Sequence, residues 1–98
     1  MIVYEVTATI EPNLVDKFER YMREKHIADV LATGAFVRAS FETSEQGRYR
    51  TRYVAETQDA LENYLSEIAP RLRDDVTANF PSGTQFSREY WVVLDDFA

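Results

Sequence analysis

The stretch RYRTRYVAE, Arg48–Glu56, decides the fold. Arg48, Arg50 and Arg52 alternate with Tyr49, Thr51 and Tyr53, and Ala55 continues the second set. A period of two is the mark of a strand whose two faces meet different surroundings. Burying unpaired guanidinium groups beneath apolar helices costs several kcal/mol or more. The arginine face is therefore expected to be open, and the tyrosine face to carry the core. Val54 is the exception, an apolar residue on the arginine side.

Upstream, IVYEVTATI (2–10) has the same character. Ile2, Tyr4, Val6, Ala8 and Ile10 form an apolar face; Val3, Glu5, Thr7 and Thr9 form the other. AFVRASFE (35–42) also reads as a strand, and TSEQG (43–47) has hairpin-loop chemistry, with Gly47 free to take positive φ. QFSREYWVVL (85–94) is the last strand. Its parity is ambiguous, so the face carrying Trp91 is open to either reading.

Helical spacing fills the gaps. Pro12 suits a first turn, and Leu14, Val15, Phe18, Tyr21, Met22 and His26 follow a stripe. Ile27, Val30 and Leu31 then fall about one residue out of phase, which predicts a bend near His26. Gly34 ends the run as the residue beyond the C-cap. In the second run Thr57 or Asp59 is the cap, Asp59 and Glu62 have capping-box spacing, and Leu61, Tyr64, Leu65, Ile68, Leu72, Val76 and Phe80 form the stripe. Pro70 predicts a kink or break there.

These readings predict strands near 2–10, 35–43, 48–56 and 85–94, and helices near 12–32 and 58–80. The order is βαββαβ in a single ferredoxin-like domain over residues 1–98. With right-handed crossovers it gives a four-stranded antiparallel sheet in order 4-1-3-2, with both helices on one face. This is an α+β fold.

Composition narrows the function classes. A net charge of −6 disfavours a nucleic-acid binder, which needs a basic footprint. The βαββαβ order is shared with RNA-recognition modules, but those expose aromatic side chains on their central strands. Here the tyrosines are assigned to the covered face. No apolar run is long enough for a membrane span, and the N-terminus opens as a strand rather than as a basic and apolar leader. With no cysteine in the chain, a cytoplasmic setting is expected. The three glycines are isolated, so no phosphate loop is present. One histidine, no cysteine and scattered carboxylates make no specific ligand set, and neither a metal nor a cofactor is expected.

The opening MIVYEVT, the block MREKHIADVLATGAF and the segment YVAETQDALENYLSEIAPRLRDD resemble a bacterial family described as a domain of unknown function, number 4286. The resemblance spans nearly the whole chain, and His26–Gly34 is its most specific part. It implies membership of the ferredoxin-like dimeric α/β-barrel group, in which two sheets pack face to face and a pocket lies between sheet and helices. That group includes oxygenases, isomerases and proteins with no known activity, so the resemblance supplies no reaction.

Candidate residues follow from these placements. His26 lies on the stripe of Phe18 and Met22, at either a helix end or a pocket rim, and is the one candidate catalytic residue. If it caps a helix its pKa should rise; if it lines an apolar pocket its pKa should fall. Met22, Tyr4, Tyr53 and Tyr64 are the candidate ligand-binding residues around it. Thr7, Arg50, Arg52 and Trp91 are the candidate surface for a homodimer through the open face. The leading expectation is a homodimer that binds a small apolar ligand between sheet and helices. Alternatives are a cofactor-independent oxygenase or isomerase, and a protein-interaction module. A cavity of a few hundred Å³ would favour ligand or catalysis, and a filled core would favour the module.

Overall fold

The computed structural model describes residues 1–98. Strand β1 spans Ile2–Ile10. The first helical run comprises a 3₁₀ turn, Pro12–Leu14, then α1, Val15–Tyr21, a π turn, Met22–His26, and α2, Ile27–Ala32. Strands β2, Arg38–Glu45, and β3, Arg48–Ala55, form a hairpin. The second run comprises α3, Gln58–Asn63, a π turn, Tyr64–Ile68, and α4, Ala69–Asn79. Strand β4, Thr84–Val92, closes the sheet. The strand order is β2-β3-β1-β4, antiparallel throughout, which is the expected order read in reverse.

Register sets the faces. Tyr4 lies opposite Tyr53, Val6 opposite Thr51 and Ala8 opposite Tyr49, so these side chains share the helix-covered face. Glu5 lies opposite Arg52 and Thr7 opposite Arg50 on the open face. On β4, Trp91 lies opposite Val3 and joins the open face, which puts Phe86, Arg88 and Tyr90 on the helix side.

The core divides into two clusters. One gathers Ile2, Tyr4, Phe36, Tyr53, Leu61, Tyr64 and Leu72. The other gathers Ala8, Val15, Phe18, Tyr21, Met22, Tyr49 and Phe80. Val6 lies at the middle of a central strand yet is only half-buried, because it falls at the seam between them.

Both helical runs contain one extra residue. The Ile27 amide donates to the Met22 carbonyl, and the Ala69 amide to the Tyr64 carbonyl, each a five-residue step. The first π turn is the physical form of the register slip read at Ile27. The second lies immediately before Pro70. Pro70 has no amide to continue the ladder, and the wider turn just before it is where the run accommodates that missing donor.

Three expectations need adjustment. Strand β2 starts at Arg38 rather than residue 35; Ala35–Val37 form a loop whose Phe36 side chain still enters the core. Thr57 caps α3 by accepting from the Ala60 amide at 3.1 Å, and Asp59 lies inside the first turn, so no capping box forms between Asp59 and Glu62. The hairpin extends β2 to Glu45, with a bulge between Thr43 and Glu45. Gly47 has φ +86°, and its carbonyl accepts from the Ile10 amide at 2.7 Å. A Cβ there would meet the Ile10 carbonyl oxygen at 2.8 Å, so the close approach requires glycine.

Candidate functional site

The seam between the two core clusters opens into a cavity. Its floor is Val6, Ala8, Thr51 and Tyr53 on the sheet, and its roof includes Met22, His26 and Tyr64. These three belong to the π turns, while Phe18 of α1 and Leu72 and Val76 of α4 complete the helix side. A π turn widens the helix by one residue and displaces side chains from the regular stripe, a feature often found at functional sites. The structure thus brings together Tyr4, Met22, His26, Tyr53 and Tyr64 around one space.

The cavity volume is about 50 Å³. That is room for a few water-sized groups and less than the few hundred Å³ set as the mark of a ligand site. The mouth lies between α4 and β4, where the long side chains of Arg73 and Arg88 stand beside Val76 and Phe86.

His26 does not cap a helix. The run continues through Ala32, so no free carbonyl end lies at residue 26 to favour a cation. Its ring stacks on Tyr21 with centroids 5.7 Å apart, and its Nδ1 is buried with no hydrogen-bond partner. Its pKa is pushed below the ordinary 6.5, chiefly because burial disfavours the cation. Asp29 and Asp75 pull it upward, while Lys25 and Arg88 push it further down. Asp75 is engaged elsewhere: it accepts from the Tyr21 hydroxyl at 2.6 Å and from Lys25 at 3.1 Å. His26 is thus held neutral, with a free nitrogen in a mainly apolar setting.

The tyrosines differ in their partners. Tyr4 packs on Phe36, Tyr53, Tyr64 and Tyr90, with ring centroids 5.5–6.2 Å apart. Its hydroxyl accepts from Arg73 Nη2 and from Arg88 Nε, both at 3.1 Å. Burial first, and then neighbouring phenols, push the phenols of Tyr53 and Tyr64 upward; Tyr64 reaches about 12 although Arg73 and Arg88 pull it down. Both therefore stay protonated at neutral pH as potential donors.

Arg73 and Arg88 were not singled out by sequence reasoning. Arg88 was open to discovery through strand parity, because placing Trp91 outward puts Arg88 on the helix face. Arg73 carries no such signal. No three acidic or histidine side chains come together as a ligand set for a metal ion.

The open face carries Thr7, Arg50 and Arg52, as the alternation implied, together with Trp91, whose face the sequence left open. Arg50 Nε donates to Glu42 at 2.7 Å, and Arg52 lies 3.9 Å from Glu5. The Arg52 Nε is buried without a hydrogen-bond partner. Trp91 is 54% exposed.

Comparison with solved structures agrees with this architecture. A variant of SnoaB, a cofactor-independent oxygenase from Streptomyces nogalater, is 18% identical, with a TM-score of 0.73 over 97% of this chain and 95% of that one. A monooxygenase from the ActVA-Orf6 gene of Streptomyces coelicolor, solved with nanaomycin D, is 14% identical, with a TM-score of 0.70 over 99% and 90%. A dimeric ferredoxin-like protein from an uncultured marine organism is 14% identical, with a TM-score of 0.68 over 100% and 99%. At these identities the likeness establishes the fold. No curated protein matches the sequence. A family model does match, over residues 1–92, and the chain belongs to that family, the domain of unknown function DUF4286.

Proposed function

We propose that this chain is a cytoplasmic homodimer that binds a small organic molecule in the space between sheet and helices. One observation carries the reading: a neutral, half-buried His26 whose Nδ1 is buried and unpartnered lies beside tyrosine side chains around one mainly apolar cavity. Convergent polar groups in an apolar recess are the usual form of a small-molecule site. The cavity's 50 Å³ accepts only a small group as it stands. The dimer is supported by the open sheet face and by the dimeric ferredoxin-like neighbour.

The test is ligand-observed NMR with a fragment library, on the wild type and on Met22→Trp. Met22 is 6% exposed in the cavity roof, and an indole there fills the space. Fragments should bind the wild type and lose most of their affinity for the variant. Equal binding to both would exclude this cavity as the site.

A second reading is a cofactor-independent oxygenase or isomerase of the same fold. It is favoured by the neutral His26, which can accept a proton from a bound C–H or O–H acid, and by oxygenase structures among the neighbours. Oxygen uptake with a hydroquinone in the presence of chelator tests it. Turnover lost in His26→Ala would support it; unchanged turnover would exclude His26 as the base.

A further inference from the structure

Two guanidinium groups converge on one neutral oxygen at the mouth of the cavity. Arg73 reaches it from α4 and Arg88 from β4, and each donates to the Tyr4 hydroxyl at 3.1 Å. Neither arginine takes part in any of the five ion pairs of the chain. Lys17, Arg20, Arg38, Arg48 and Arg71 are likewise outside those pairs; what sets Arg73 and Arg88 apart is that the two meet at a single oxygen. Bringing two cations to one atom costs Coulomb energy, and a phenol oxygen neutralises neither. Each guanidinium keeps further donors in its planar fork after bonding Tyr4. An anion between them would reverse the repulsion and use those donors.

Shape narrows the class of anion. The guanidinium fork matches a flat, two-oxygen head. Below the mouth the walls are mainly apolar, with Val6, Ala8, Phe18 and Met22 beside the uncharged side chains of Thr51 and Tyr53, and there is room for only a few heavy atoms. A bulky, multiply charged group has no matching polar wall there. We infer that the paired Arg73 and Arg88, pinned by Tyr4, recognise the carboxylate of a small organic acid whose apolar body points into the cavity toward His26. This rests on the ligand-binding reading above and specifies the substrate class of that site.

The distinguishing experiment pairs propionate with 1-propanol, a neutral analogue of similar length. Binding of each is followed by NMR through the Arg side-chain Nε–H signals and the single imidazole. Wild type should bind propionate more tightly than the alcohol, with affinity falling as salt rises. Arg73→Gln and Arg88→Gln should each weaken propionate by about 10- to 100-fold, the range expected for a lost charge-assisted contact, and leave the alcohol unchanged. Both side chains are exposed, and circular dichroism verifies that the variants fold. Arg88→Lys, which keeps the charge but loses the fork, should fall between wild type and Arg88→Gln. If the alcohol binds as well as propionate and neither Gln variant changes the ratio, the carboxylate assignment is overturned while the pocket stands. If neither compound perturbs the imidazole, both the assignment and the pocket reading fail together.

Discussion

His26 concentrates the chemistry at the residue scale. Its folded pKa lies below the ordinary 6.5 because burial outweighs the pull of Asp29 and Asp75. Between the two pKa values the unfolded chain binds the proton and the folded chain does not. Stability is therefore complete above about pH 6.5 and falls as pH drops toward the folded pKa. A depression of one pH unit is worth about 1.4 kcal/mol. His26→Phe keeps a ring on Tyr21 and removes the titration. Urea melts at about pH 5 and 7 should show a smaller difference for His26→Phe than for wild type; an equal difference would place the pH dependence elsewhere. Asp75, held low by Tyr21 and Lys25, titrates in a separate, more acidic window. The position of His26 on the inward stripe was legible from its i, i+4 spacing to Met22. Its missing partner was not, because a hydrogen bond absent in three dimensions leaves no trace in composition.

The two π turns are the devices that matter at the element scale. A π turn equals an α-helix with one residue inserted, so the flanking segments keep their faces while the extra residue is displaced. Glu24 lies within the first π turn, is exposed, and makes no side-chain bond or ion pair. Deleting Glu24 should restore a continuous α-helix, with Phe18 and Val30 still in the core. The melting temperature should stay level or rise, while the imidazole pKa moves back toward 6.5 as His26 leaves its buried place. Loss of the folded state would show that the insertion is structural rather than a feature of the site. The slip at Ile27 was readable because an amphipathic stripe makes any extra residue visible as a phase change. The start of β2 was not, because Phe36 is apolar for core packing from a loop, and apolarity alone does not report a strand ladder.

For the whole molecule, the arginine alternation of β3 marked both sheet faces, since three unpaired arginines of one central strand cannot all lie beneath apolar helices. The mouth was illegible: Arg73 and Arg88 are fifteen positions apart in sequence and look like ordinary solvated charge until α4 and β4 lie side by side. The open face makes its own prediction. Arg52 faces Glu5 at 3.9 Å, and Arg52→Glu would place like charges together on the proposed dimer surface. Sedimentation should show weaker self-association in that variant, with circular dichroism unchanged. Trp91 is the sole tryptophan, so its emission should shift to the blue as the wild-type dimer forms. A monomer at high micromolar concentration would remove the dimer proposal.

The central claim is that an uncharged imidazole borders a ligand space between sheet and helices. Proton NMR titration of the single histidine tests it most directly, because only one imidazole signal titrates. The account predicts a midpoint below 6.5, together with a shift of that signal when a small ligand is added. A midpoint above 6.5, with no response to any small molecule, would contradict it.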